Sequence, residues 1–364
     1  MEKSLIDRRA FLAGAGGGLL SCISLASAEA VVEADAIFAS AYRAPDGGYG
    51  IVTLTDRGEI LHTYGLPSRG HDIVWKPNTG TMAAFARRPG SFAMVVDTYG
   101  QASPTVISTP VDRHFYGHGC FSPDGRLLFA TENDFDNAAG VIGVYDASEG
   151  YRRIGEFPSG GVGPHDVVMM PDNRTLAIAN GGIETHPAYP RAKLNLASMR
   201  PNLSLLDTDK GQIVATVELP TELHKLSIRH LAVDSTGRIW FACQNEGDIA
   251  QPQPLLGTLD AHLETSLVEL SESEWAMMRG YIGSVACSVD GALVAVTSPR
   301  GGVARLIDTE VGSIIEDRHI PDVCGIAIEH NKPIFTSGAG SLEKVKHDLA
   351  FDNHVSLARQ QTAL

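Results

Sequence analysis

His71, His118, His165 and His230 each stand at the head of a short apolar run that ends in a turn, and His354 heads one more near the C-terminus. Neutral imidazole is a good ligand for copper, zinc, iron and nickel. Several such rings gathered on one axis would therefore form a transition-metal site, with iron or copper as the expected ion and otherwise no cofactor. Asp72 and Asp166 directly follow two of the histidines. They are expected to orient the rings, or to act as hard oxygen ligands that shift the preference toward iron. The same positions also suit an architectural task, in which a polar side chain at the top of one strand bonds to the next repeat unit and ties the units together.

Further polar residues fall near the same points of the repeat. Glu132 with Asn133, Asn180, Gln244 with Asn245, and Arg300 follow the second apolar run of a unit, where the chain would return to the histidine face. Arg113, His114 and Arg229 lie just before ring histidines and suit an anionic ligand or a carboxylate held by paired hydrogen bonds; packing and ion pairing are the commoner use of such arginines. Glu184 and His186 begin a stretch, 184–203, too long for an ordinary connection within a unit. Long ordered loops tend to carry function, so this insertion is expected over the histidine face, either adding ligands from above or forming an inert excursion. No Gly-x-Ser-x-Gly elbow, phosphate loop or His-Glu-x-x-His occurs, so no residue is assigned a catalytic role.

The elements that position these residues are legible from their surroundings. The stretches beginning at His71, His118, His165 and His230 each read strand, tight turn, strand, with Gly80, Asp124-Gly125, Asn173 and Thr236-Gly237 supplying the reversal. Two more short β-like runs follow each hairpin, for example 141–146 and 153–157. Four short strands per unit is the blade of a β-propeller, and the equal steps of 47 residues from His71 to His118 and from His118 to His165 suit that period. Two degenerate copies carry Ser284 and Gly325 where the others carry histidine. The run 351–358 looks like an inner strand with nothing after it, while 36–42, 50–55 and 59–64 are three strands with nothing before them. Joining them closes the ring, which predicts an all-β, seven-bladed β-propeller with an incomplete arc of five imidazoles, open on the side of Ser284 and Gly325.

Composition narrows the function classes. The chain has 364 residues and a formal net charge of -14, which argues against nucleic-acid or anionic-membrane surfaces because those need basic clusters. Residues 1–28 read as a twin-arginine export signal, with Arg8-Arg9 before a Gly-rich apolar run and a small-residue cleavage site at 26–28. The expected location is the periplasm, with no membrane span; lipidation at Cys22 is a minor alternative. Residues 29–364 form one domain. Cys120, Cys243, Cys287 and Cys324 lie in apolar runs without a metal or haem spacing. Small buried thiols are the preferred reading, with a Cys287–Cys324 bridge left open.

The phrases Arg69-Gly70-His71-Asp72, Tyr116-Gly117-His118-Gly119, 161–166, 181–187 and Asp352-Asn353-His354, behind the export signal, resemble the bacterial family known as domain of unknown function 1513. The resemblance covers the whole mature chain. It implies a secreted seven-bladed propeller associated with iron-acquisition gene clusters, and it implies no reaction. The expected function is therefore binding of a transition metal or metal-containing ligand at the histidine face, as an accessory of iron or copper acquisition whose partners are periplasmic proteins of a metal-uptake system. A non-catalytic docking scaffold is one alternative, and a redox metalloenzyme or lactonase-like hydrolase another.

Overall fold

The computed structural model describes Ala30 and residues 34–358, apart from 99, 101, 190, 191 and 330. The leader at 1–28 and Cys22 lie outside the described residues. Twenty-eight strands form seven antiparallel four-stranded sheets. Blade 1 joins the last strand β28 (Ala350–Leu357) to β1 (Ile37–Arg43), β2 (Tyr49–Thr55) and β3 (Ile60–Leu66). Blade 2 runs from β4 (Gly70–Trp75) and β5 (Thr81–Ala86) to β6 (Phe92–Asp97) and β7 (Thr105–Ser108). Blade 3 runs from β8 (Arg113–Phe121) and β9 (Leu127–Asp134) to β10 (Ala139–Asp146) and β11 (Arg152–Pro158). Blade 4 takes β12 (Pro164–Met169), β13 (Thr175–Asn180), β14 (Asn202–Asp207) and β15 (Gln212–Glu218); blade 5 takes β16 (Leu226–Val233), β17 (Ile239–Asn245), β18 (Leu256–Leu259) and β19 (Thr265–Leu267). Blade 6 begins with β20 (Ser284–Cys287) and β21 (Leu293–Ser298) and ends with β22 (Val303–Asp308) and β23 (Ser313–His319). Blade 7 comprises β24 (Val323–Glu329), β25 (Lys332–Ser337), β26 (Ser341–Leu342) and β27 (Val345–Lys346).

The ring closes as the leftover strands at the two chain ends suggested. Phe38, Ala39 and Ser40 of β1 pair with Leu357, Ser356 and Val355 of β28, so no inner strand is left with an open edge. The apolar core lies between blades rather than in one centre. Ile51 and Ala39 of blade 1 pack on Ile73 and Met82 of blade 2, and Phe85 of blade 2 on Phe115 and Leu128 of blade 3, continuing around the ring. Sheets sandwiched in this way are apolar on both faces, which is why strands such as β2, β9 and β21 are buried along most of their length. The outermost strands β11 and β15 instead alternate exposed and half-buried residues, the period-two pattern of an edge against water.

The turns away from the histidines reuse one device. Ser122 Oγ donates to Asp124 at 2.6 Å and accepts the Leu127 N–H at 2.9 Å, with Gly125 at φ +68°. Ser288, Asp290 and Leu293 repeat these contacts around Gly291 at φ +70°, where only glycine avoids a Cβ clash. A short helix, α1 (Glu272–Met277), leads into blade 6; it starts with a capping box of Ser271 and Glu274 and buries Trp275. None of Cys120, Cys243, Cys287 and Cys324 is in a disulfide, so no Cys287–Cys324 bridge links blades 6 and 7. No helix among the described residues is long and apolar enough to cross a membrane.

Candidate functional site: a cluster of channel imidazoles

The histidines are not simply the first residues of their strands. Each falls within or beside a break in the pairing register. The register shifts between Gly70 and Ile73 in β4, between Phe115 and Gly119 in β8, between Pro164 and Asp166 in β12, and between Ile228 and His230 in β16. In blade 1, Val355 and Phe351 of β28 face Ser40 and Tyr42, which places His354 in a bulge as well. A bulge bends the strand and re-aims a side chain. Five inner strands use it to send an imidazole into the channel. Side chains of the next strand hold two of the bulged carbonyls, with Thr131 Oγ1 donating to His118 O at 3.1 Å and Ser40 Oγ to His354 O at 2.7 Å.

The five rings form one cluster. His118 lies centrally, with ring centroids 4.9 Å from His71, 4.9 Å from His165, 5.4 Å from His230 and 4.8 Å from His354. His230 is 4.8 Å from His165 and 4.7 Å from His354. Two triads, His71–His118–His354 and His118–His165–His230, each bring their ring nitrogens within 4.8 Å of one another. Nitrogens bound at about 2.0–2.1 Å to one tetrahedral ion are roughly 3.4 Å apart. Small ring movements would therefore bring either triad onto an ion.

Electrostatics keep most of these rings neutral and their lone pairs free. Burial pushes His71 down to about 4, although its hydrogen bond to Asp352 opposes this. His165, His230 and His354 are driven well below the ordinary histidine value by burial and then by the basic groups beside them, Arg229 for His165, His118 for His230 and His71 for His354. His118 goes the other way. Burial lowers it, but the carboxylates of Asp166 and Asp72, 3.5 Å and 3.3 Å from its Nδ1, outweigh that and raise it. His118 is thus the most readily protonated ring of the five. Asp352 Oδ1 contacts His71 Nδ1 at 3.1 Å; its carboxyl is held well down, the His71 bond and the charges of His71, Arg69 and Arg87 overcoming burial.

Carboxylates on Nδ1 leave Nε2 facing inward, the usual support of a metal-bound histidine. His118 Nε2, His354 Nε2 and both nitrogens of His230 are buried with no hydrogen-bond partner among the described residues. Such groups are rare in folded proteins, and an ion is one of the things that accounts for them. On the far side of the rings lies a cavity of about 270 Å³, lined by Asp72, Asp166, Ser284 and the following residues of the inner strands.

Asp166 has two tasks. Its Oδ2 accepts the Leu231 N–H of the next blade at 2.9 Å while Oδ1 faces His118. The tie between blades and the orientation of a ring are combined in one carboxylate. The arc of imidazoles is not open at Gly325. A Cβ there would lie 2.4 Å from Thr336 Oγ1 and 2.9 Å from Val355 N, so the backbone of β28 already fills the space. Ser284 does border the cavity.

The remaining candidates are placed elsewhere. Glu132 is fully buried within blade 3, accepting from Tyr145 Oη at 2.6 Å and Arg153 Nη2 at 2.8 Å. Arg113 pairs with Asp112, Asp134 and Glu156. Asn180 bonds Ser159 and Asn202, and Asn245 caps its own loop through Gly247 N and Asp248 O. Gln244 bridges to Tyr281 through its backbone. His114 stacks on Phe135 and meets Asn133 Nδ2 at 3.1 Å. Asn133 also donates to Thr185 O at 3.0 Å, and Lys193 pairs with Glu246 of blade 5. The connection between β13 and β14 thus straps the histidine face from blade 3 to blade 5. Within it, His186 lies 3.4 Å from Asp136, away from the cluster, and the Glu184 N–H is held by Asn195. Arg229 and Arg300 stand at the channel mouth, Arg229 on Glu246 at 3.1 Å and Arg300 over the Tyr281 ring at 4.9 Å.

Sequence reasoning missed Asp352 as the partner of His71, and missed Arg87, Arg88, Tyr116 and Tyr281 at the mouth. The Asp-Asn-His phrase at 352–354 was a usable signal for the first. Tyr116 lies in β8 beside the Gly-His phrase at 117–118, while Arg87, Arg88 and Tyr281 sit outside the named strands with no distinguishing pattern.

Seven blades around a channel that gathers five imidazoles define a β-propeller with a histidine-lined core. The chain belongs to the family of proteins of unknown function DUF1513, whose model matches residues 64–358. No curated protein matches it. Among solved structures it is similar to a chain of hydrazine synthase from Kuenenia stuttgartiensis, at 12% identity and a TM-score of 0.61, covering 88% of this chain and 94% of that one. It is also similar to a chain of a nidogen/laminin complex, at 14% identity and a TM-score of 0.53, covering 90% and 100%. At such identities the likeness is one of fold.

Proposed function

We propose that this protein binds a transition metal ion, or a small metal-bearing ligand, through His118, His230 and His354 with His71 and His165 completing the site. In the same reading it serves in iron or copper handling in the periplasm, beside proteins of a metal-uptake system. The export pattern at 1–28 supports the location. The observation that carries the metal reading is the set of buried imidazole nitrogens without partners, backed by carboxylates that hold the opposite ring nitrogens of His118 and His71. An all-imidazole donor set favours copper, zinc, iron or nickel over calcium, which needs six to eight oxygens, and so weighs against a lactonase-like hydrolase. The burial of the rings weighs against a docking surface, since His118 and His230 are each 2% exposed. A redox enzyme would use the same centre.

The test is metal analysis and titration of the purified protein beside a variant with His118→Ala, His165→Ala and His230→Ala. The expected result is about one copper, zinc or iron ion bound per chain, lost in the variant while circular dichroism still reports the β fold. Unchanged metal affinity in a folded variant would refute the proposal.

A further inference from the structure

The entry side of the channel is strongly basic although the chain is acidic overall, at -14. Arg69 precedes β4, Arg87 and Arg88 lie between β5 and β6, Arg229 precedes His230, and Arg300 lies between β21 and β22. All five are on the side of the histidines opposite the cavity, which is lined by residues that follow the histidines. Their fields overlap. Arg229, Arg87 and Arg300 all act on the half-buried Tyr281, and Arg229 and Arg87 both act on Arg88.

The carboxylates beside these five arginines are fewer: Asp352, Glu246 and Asp322, the last facing Arg69. Asp352 is shared by Arg69, Arg87 and His71, and Glu246 by Arg229 and Lys193. Arg88 has no carboxylate partner among the described residues; its side-chain partner is Tyr116, whose ring centre lies 5.7 Å from the guanidinium carbon. Arg229 Nε is buried without a partner. A half-buried guanidinium facing other cations is costly unless an anion meets it. Two tyrosines flank the gap. Tyr116 Oη is bonded to Thr185 at 3.1 Å and Tyr281 Oη accepts from Asn353 Nδ2 at 3.0 Å, so both rings are fixed as walls.

We infer that this mouth binds a small polycarboxylate, seated on Arg88 and Arg229 above the imidazoles. Planar guanidinium forks match carboxylates in paired hydrogen bonds. A ligand with a second or third carboxylate would reach toward the rings, so it would arrive either free or as a metal chelate. Only the chelate form rests on the metal reading above.

Calorimetric titration of metal-free protein with citrate tests the site without any ion. Citrate is expected to bind, and Arg88→Gln and Arg229→Gln to weaken it at least about tenfold each. Arg174→Gln removes the same charge from the turn between β12 and β13, where it pairs with Asp207, and is expected to leave the affinity unchanged. Absence of citrate binding, or equal binding by folded Arg88 and Arg229 variants, overturns the inference. A second arm compares citrate with zinc citrate on the native protein and on His230→Ala. Tighter binding of the chelate that is lost in the variant assigns the chelate as the ligand, and equal binding of both forms assigns the free carboxylate. Citrate binding retained by a protein that takes no metal would sink the metal reading and leave this one standing.

Discussion

Replacing His230 by leucine should stabilise the metal-free protein and destabilise the metal-bound one. His230 is 2% exposed and both of its ring nitrogens lack partners among the described residues, while its ring packs 4.7–5.4 Å from those of His354, His165 and His118. Leaving a buried polar atom unpaired costs about 1–3 kcal/mol. The metal-free variant should therefore gain roughly 1–2 kcal/mol once the better apolar contact of leucine is included. An ion that binds only the folded state adds about 2.7 kcal/mol at a hundredfold excess over its Kd, and the variant loses that contribution. Urea unfolding in chelator, then in copper or zinc, reads both terms on the same samples. The signature is a change of sign between the two conditions. Destabilisation of similar size in both would mean that His230 is an ordinary packing residue, and the argument from unpaired nitrogens would fall.

Metal binding at pH 6 should release about one proton per ion or fewer, since His118 alone is raised and the other four rings are already neutral; calorimetry in buffers of different ionisation enthalpy measures it, and release of several protons would contradict the assignment. Asp72→Asn with Asp166→Asn should lower the His118 pKa below its ordinary value, because burial then acts unopposed, which proton NMR titration of the ring reads directly. The sign for stability follows. With His118 raised in the folded state, its contribution is full below the unfolded value and fades as pH rises through the folded one, so the double variant should lose stability most at acidic pH. Glu132→Ala should cost about 2–4 kcal/mol by leaving the Tyr145 hydroxyl without its acceptor and Arg153 with Glu156 alone and leave metal affinity unchanged, as urea unfolding and metal titration will show. Gly325→Ala should cost at least about 2 kcal/mol, since its Cβ would meet Thr336 Oγ1 at 2.4 Å and the backbone of β28.

What was legible in the sequence was whatever repeats or is left over. The hairpins after His118 and after Ser284 carry the same Asp-Gly turn, and three unpaired strands at one chain end matched one at the other. Such features are local, or are counted. The partners of the histidines were not legible, because the ring brings together residues that are far apart in the chain: Asp352 reaches His71 across 281 positions, and Asp166 reaches the N–H of Leu231 across 65. Glu132 and Asn133 illustrate a second reason. They are adjacent in sequence, yet the alternation of a strand turns Glu132 toward Tyr145 and Arg153 and Asn133 toward His114 and Thr185. Proximity to the return loop therefore says little about which of them faces the channel.

The bulges decide which blades contribute to the site. A regular inner strand points alternate side chains at its two neighbouring blades, where they join the apolar core between sheets; the bulge breaks that alternation and turns a residue toward the axis. β20 pairs without interruption from Ser284 to Cys287 and offers only a small hydroxyl. β24 has the register shift, between Val323 and Ile326, but spends it on Gly325, whose missing side chain admits the backbone of His354 and Val355. Blade 7 thus positions His354 instead of supplying a ring of its own. It follows that adding a histidine at Gly325 would not complete the cluster but would displace β28, and with it both His354 and the Asp352 that holds His71. The five-histidine arrangement is therefore the fullest one this ring closure accommodates at that seam.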